Sequence, residues 1–197
     1  MAPRVKVMRD EILAAAVEVV REGGAESLNA RTVAAALGCS TQPVFSNFAT
    51  MQELRLAVVR QADLLCNEYI QKEIERGEFP AYKASGMAYI RFAKEERELF
   101  QLLYMRDRRE EASDEISVTE KPMETIVHRQ TGLLGDAGKR FHLEMWAYVH
   151  GIAAMVATGF LELDRDLVSQ MLTDAYQGLR KQYGLEGSPW MPSASKD

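Results

Sequence analysis

The sequence predicts an all-α protein, and three observations carry that reading. Apolar residues recur three and four apart through most of the 197 residues, the spacing that gathers side chains on one face of a helix. No stretch alternates apolar and polar residues at the period of a strand. The breaks between periodic segments hold glycine, proline or a residue able to cap a helix. The predicted organisation is a three-helix head over residues 1–50, a larger helical body over 51–183, and a flexible tail over 184–197.

The first helix is read from Met8, Ile12, Ala16, Val19 and Val20, and ends at Gly23 and Gly24. Asn29 caps a short second helix that runs to Leu37 and stops at Gly38. Ser40 is expected to cap a third, which places Pro43 in the first turn, where the missing N–H has no intrahelical acceptor to lose. Val44 and Phe48, four apart, form its buried side. Thr50 and Glu53 make a Thr-x-x-Glu capping box for a fourth helix with no breaker before Gly77, about 39 Å long at 1.5 Å per residue. Helical spacing resumes after Pro80 and runs to Tyr104, in two pieces broken near Glu95 to Arg97. Arg106 to Glu120 is charged and aperiodic and reads as a loop. Further helices are expected from Pro122 to Leu134, from about Lys139 to Leu161 and from Asp164 to Tyr183, with "GDAG" (135–138) as a turn.

Composition narrows the function classes. The chain is 47% hydrophobic and 27% charged, ordinary for a globular domain. The charged N-terminus has no apolar run before Ile12, so no secretory signal is read and a cytoplasmic location is expected. Cys39 and Cys66 have no metal-knuckle or redox spacing. The net charge of −5 speaks against nucleic acid binding by the whole surface. Residues 1–51 are neutral, however, with Arg4, Lys6, Arg9, Arg21 and Arg31 offsetting Asp10, Glu11, Glu18, Glu22 and Glu26.

Two short helices joined by a glycine turn and preceded by a packing helix make a helix-turn-helix, whose second member enters the DNA major groove. That groove, about 12 Å wide, admits one helix with small or medium side chains on the facing side. Thr41, Gln42, Ser46 and Asn47 suit it: amides pair with adenine edges and hydroxyls reach phosphate, while Thr or Pro carbons touch a thymine methyl. The alternative on pattern alone is a small helical bundle whose polar face meets water.

From Arg9 to Val59 the chain resembles the DNA-binding head of the TetR-type transcriptional regulators, in "ILAAAVEVVREGGAESLNARTVAAALGCSTQPVFSNFATMQELRLAVV". The matching marks are the glycine-ended first helix, the polar start from Asn29 to Arg31, "VAAALGCS" through the turn, the aromatic pair Phe45 and Phe48, and Glu53–Leu54 opening the fourth helix. The resemblance implies a DNA interface of Asn29, Arg31, Ser40, Thr41, Gln42, Pro43, Phe45, Ser46 and Asn47, with Arg4, Lys6 and Arg9 along the phosphate backbone. Relatives carry Tyr where Phe45 stands and Lys where Met51 stands. Losing that hydroxyl and that cation implies weaker, less salt-sensitive binding than a typical relative shows.

"MWAYVHGIAAMVATGFLELD", with Trp146, His150 and Gly151, resembles the Trp-His-Gly signature of one class of TetR-type C-terminal domains, and "EERELFQLLYM" the stretch before their central loop. This resemblance implies a homodimer through the last two long helices. There Gly151, Ala153, Ala154, Ala157 and Gly159 would permit close approach, and Val149, Ile152, Val156 and Phe160 would supply apolar area. It also implies a small-molecule pocket between the body helices, for which the candidate liners are Tyr69, Tyr89, Phe92, Phe100, Tyr104, Trp146 and His150, with Met87, Met105 and Met123 as pliable walls. Core filling is the competing role for every one of them. No cofactor or metal is expected: His142 and His150 are eight apart, which is not a metal-pair spacing. No nucleophile elbow, phosphate loop or zinc motif points to an enzyme. The expected function is a ligand-responsive DNA-binding regulator, a repressor on a palindromic operator. The alternative is a small-molecule-binding dimer whose head no longer recognises DNA.

Overall fold

The structure, a computed structural model, describes residues 7–106 and 120–185. All regular structure among these residues is helical: α1 Arg9–Gly23, a 3-10 turn Ala25–Ser27, α2 Ala30–Ala36, α3 Gln42–Asn47, α4 Met51–Arg76, α5 Ala81–Glu95, α6 Arg97–Tyr104, α7 Glu120–Thr131, α8 Gly135–Ala157 and α9 Arg165–Gln182. Arg4 and Lys6, most of the expected 106–120 loop and most of the expected tail lie outside the described residues.

The chain divides into two compact units, residues 1–65 with 96–111 and residues 66–95 with 112–197. The first takes in more than residues 1–50, because α6 packs on α1. Arg21 of α1 ties that contact with a 2.7 Å ion pair from Nε to Glu96. The core of this unit is Ile12, Ala16 and Val20 of α1, Val33 of α2, Val44 and Phe48 at α3, Leu54 and Val58 of α4, and Leu99 and Phe100 of α6, all buried. On α1 the buried stripe includes Val17. Met8 is exposed, because it precedes the helix: its N–H donates to the Glu11 carboxylate at 2.7 Å while its side chain faces water.

The second unit packs α5 most extensively on α8, with α7 and α9 closing around them. One buried cluster in it is aromatic: Tyr82, Phe141 and Tyr176 meet with ring centroids 5.8 to 6.3 Å apart, backed by Val127 and Met145. Gly86 permits the close approach of α5, since a Cβ there would stand 3.1 Å from Leu172 Cδ1 and 3.6 Å from Val149 Cγ2.

Three local expectations are corrected. "GDAG" is the first turn of α8 and not a separate turn; Leu134, in extended conformation, stands at its N-cap. α7 begins at Glu120, before Pro122, and ends at Thr131. α3 starts at Gln42 and not after Ser40, because Thr41 already has helical backbone angles. With Pro43 in its first turn one amide needing a cap is gone, and no side chain caps this helix.

Candidate functional site

In the first unit the α2–α3 connection decides what can be presented. Gly38 follows α2 with φ +63°, the left-handed backbone that glycine adopts without strain. Its N–H donates to the Ala35 carbonyl at 3.1 Å and the Cys39 N–H to the Ala34 carbonyl at 3.0 Å, the paired bonds of a Schellman stop. The chain thereby reverses within a few residues and launches α3 with Val44 fully buried and Phe48 only 1% exposed.

At 100° per residue, Gln42 and Ser46 lie opposite Val44, and Phe45 and Pro43 flank them. Gln42, Phe45 and Ser46 are exposed accordingly, and Thr41 and Pro43 are half-buried. Phe45 is 52% exposed, a large apolar ring left in water on this face. Ser46 Oγ donates to the Gln42 carbonyl at 2.9 Å. Arg31 and Ser40 are exposed.

Three predicted contacts are engaged within the unit. Asn47, three residues past Val44, lies only about 60° from it around the helix. It is half-buried, and its Nδ2 donates to the Pro43 carbonyl at 2.9 Å instead of pointing outward. Asn29 is spent as the α2 cap: Oδ1 accepts the Arg31 and Thr32 N–H groups at 3.0 and 3.1 Å, and Nδ2 donates to the Ser27 carbonyl at 3.2 Å. Arg9 likewise forms a bracket inside the unit. Its guanidinium donates to the Asn47 carbonyl and, at 2.9 Å, to Glu53, and covers the Phe48 ring at 3.8 Å. The Ala49 N–H and Arg9 together hold the Glu53 carboxyl below its ordinary range. Thr50 caps α4 as expected, accepting the Glu53 N–H at 3.1 Å.

The second unit contains a cavity of about 70 Å³. Tyr82, Lys83, Ser85, Gly86 and Tyr89 line it from α5, one side of its first turns. His142, Met145, Trp146 and Val149 line it from α8 at the same helical spacing. Leu172 and Tyr176 of α9, Ile70 of α4 and Met123 of α7 complete the wall. Of the predicted liners, Tyr89, Trp146 and Met123 are in this wall. His150 stands one turn beyond it, stacked on Trp146 with centroids 4.9 Å apart. Tyr69 and Phe92 instead pack edge to face at 5.4 Å. Phe100 and Tyr104 belong to the first unit and pack on each other there at 5.1 Å. Met87 is buried and Met105 exposed, neither in the wall.

Sequence reasoning missed Tyr82, Lys83 and His142 as liners. The spacing held the signal: Tyr82 and Tyr89 are seven apart on α5 and face the pair His142 and His150 on α8. Each tyrosine hydroxyl lies 3.0 Å from the Nδ1 of its histidine. Burial pushes the Tyr82 hydroxyl well above its ordinary pKa, so it stays protonated, and lowers both the Lys83 ammonium and the His150 imidazole. Among the described residues no three His, Cys, Asp or Glu side chains gather as a metal site.

The His150 shift carries a pH prediction. A histidine whose folded pKa is depressed contributes stability that is present above its unfolded value near 6.5 and lost as pH falls below it. Protonation of Nδ1 would also remove the acceptor facing Tyr89. The melting temperature should therefore fall between about pH 7 and pH 5, and His150→Gln should flatten that part of the profile. Equal slopes for the two proteins would show that other groups set it.

Comparison with known proteins gives these arrangements a context. Residues 82–176 match the family model described as tetracyclin repressor-like, C-terminal domain. No curated protein matches the chain in sequence. Among solved structures, a protein of unknown function from Rhodococcus sp. RHA1 is similar at 24% identity and TM-score 0.74, covering 95% of this chain and 100% of its own. A member of the TetR family from Streptomyces coelicolor A3 is similar at 21% identity and TM-score 0.65, covering 85% and 96%. The multidrug binding protein EbrR in complex with malachite green is similar at 19% identity and TM-score 0.62, covering 85% and 96%. Residues 82–176 thus carry the tetracyclin repressor-like C-terminal domain, and the all-helical fold along the chain is the one these solved structures share.

Proposed function

We propose that the protein is a one-component transcriptional regulator, not an enzyme: a homodimer that binds a palindromic operator and releases it when a small molecule occupies the body. The observation that carries the DNA-binding part is the glycine-stopped turn that presents Gln42 and Ser46 outward from a helix seated on Val44 and Phe48. Gln42 is the amide placed to read a base edge, Thr41 and Pro43 flank it, and Ser40 and Ser46 reach phosphate. Arg31 is the exposed cation at the front of α2, and Arg4 and Lys6 would follow the backbone. Phe45 brings no hydroxyl to phosphate.

The homodimer reading is supported by what one subunit leaves uncovered. Leu143 is 61% and Phe160 76% exposed, Tyr148 and Leu167 are exposed too, and a Cβ at Gly151 or Gly178 would meet nothing within 4 Å. Val149, Ile152, Ala153, Val156 and Ala157, expected at that interface, are instead buried within the subunit's own core. Two heads on one face of a duplex double the contacts that one short helix can make. Repression is the sign of control proposed, since a dimer seated on a promoter blocks polymerase by occupancy.

Fluorescence anisotropy with DNA flanking the protein's own gene tests this reading. Specific binding at low salt is expected, and Arg31→Ala should weaken it and reduce the slope of log affinity against log salt by about one. A second reading, a small-molecule-binding dimer that has lost operator recognition, is favoured by the hydrogen bonds and ion pair that already occupy the polar groups of Asn29, Asn47 and Arg9 within the unit. Absence of any specific shift at low salt would select it.

A further inference from the structure

We propose that the body cavity selects compact, uncharged molecules that offer a hydrogen-bond donor, an O–H or N–H group, over those that offer only an acceptor. The inference rests on the reading of the body as a ligand-binding unit and adds the chemistry of what enters it.

Four hydroxyls among the described residues belong to the cavity wall, those of Tyr82, Ser85, Tyr89 and Tyr176, and all four residues are buried. A hydroxyl has one proton to donate and two lone pairs that accept. The Ser85 proton goes to the Tyr82 carbonyl at 2.7 Å and the Tyr176 proton to the Gln130 carbonyl at 3.5 Å. The Tyr82 and Tyr89 oxygens lie 3.0 Å from the Nδ1 atoms of His142 and His150. In these two pairs the phenol is the donor, because it is a stronger acid than the N–H of a neutral imidazole, and a bare ring nitrogen is a stronger acceptor than a phenol oxygen. Burial supports that direction: it holds the Tyr82 hydroxyl above its ordinary pKa and the His150 imidazole below its own, so one stays protonated and the other neutral.

The wall therefore meets a ligand with oxygens whose protons are already engaged. Tyr82 and Ser85 carry the effect, since the groups that take their protons, His142 Nδ1 and the Tyr82 carbonyl, belong to wall residues as well. A ligand O–H or N–H finds an acceptor there. An ether or ketone oxygen faces other lone pairs and loses its hydration without replacement. The Lys83 ammonium donates to Thr173 Oγ1 at 2.8 Å and lies 4.7 Å from the centre of the Phe79 ring, and both of those residues are outside the wall. About 70 Å³ is less than half of the roughly 150 Å³ in which a buried apolar cavity holds benzene, so an entering ring must displace the pliable side chains of Met123 and Met145.

m-Cresol and anisole are isomers of similar hydrophobicity, one with a phenolic O–H and the other with an ether oxygen only. Isothermal titration calorimetry on the full chain should find m-cresol bound about tenfold tighter than anisole. His142→Leu removes the acceptor of the Tyr82 proton and releases that proton to a ligand oxygen. Anisole should then gain, and the ratio should fall to about threefold or less. His142→Gln, whose amide oxygen restores an acceptor, should keep the wild-type ratio. A change in cavity size moves both affinities together and leaves the ratio in place. Equal binding of the isomers by the wild-type chain, or a His142→Leu ratio equal to that of wild type or of His142→Gln, would overturn donor selection while leaving a ligand site. No binding of either isomer at millimolar concentration would remove the proposal together with the reading of the cavity as a ligand site.

Discussion

Phe48→Ala should destabilise the protein by about 3–5 kcal/mol, the largest single effect expected in the first unit. The ring is 1% exposed and closes the core below α3, so its loss leaves a cavity that rigid neighbours on α1 and α4 cannot fill. It also removes the face under the Arg9 guanidinium, whose contacts run onward to the Asn47 carbonyl and Glu53. The ends of α1 and α3 and the start of α4 are therefore loosened by one truncation. Urea unfolding followed by circular dichroism measures the cost, and Phe48→Leu, which preserves most of the volume, should cost less than about 1.5 kcal/mol. An alanine variant with the wild-type urea midpoint would show that Phe48 does not anchor α3.

Glu73→Ala should cost about 3 kcal/mol and lower Tm by roughly 6–12 °C. Glu73, near the end of α4, is 3% exposed and accepts from Arg76 and Arg91 at 2.9 Å each, with Arg165 of α9 at 3.4 Å. Removing the carboxylate leaves guanidiniums gathered around a space with one fewer counter-charge. Arg76 and Arg165 are about half exposed and can turn to water, and Arg165 retains Glu78. Arg91 is the costly one, because it is the least exposed of the three and its buried Nε already has no hydrogen-bond acceptor. Glu73→Gln, which preserves an acceptor and loses the charge, should fall between alanine and wild type. A Tm for Glu73→Ala within a degree of wild type would mean that the arginines rehydrate without cost.

The parts of the fold that were legible in the sequence are those set by local chemistry. Asn29, Gly38, Thr50 and Asp164 mark helix ends because each satisfies backbone groups within a few residues of itself. The expected break near Glu95 to Arg97 is where α5 ends and α6 begins. Where local signals compete, the reading failed. "GDAG" has turn composition but extends α8, and Asn47 looks like a groove residue until its angle from Val44 is counted.

The sequence by itself determined an all-helical chain with a glycine-stopped helix-turn-helix near its start, because caps, stops and a 3.6-residue apolar period are written within single elements. Only the tertiary structure decided which aromatics stand around the cavity. It set Phe100 and Tyr104 in a different unit from Trp146, brought the Tyr82 hydroxyl to His142 across two helices, and placed Lys83 in the wall. Helical spacing says which residues share a face. Which face meets which depends on packing between segments distant in sequence, and no local pattern encodes it.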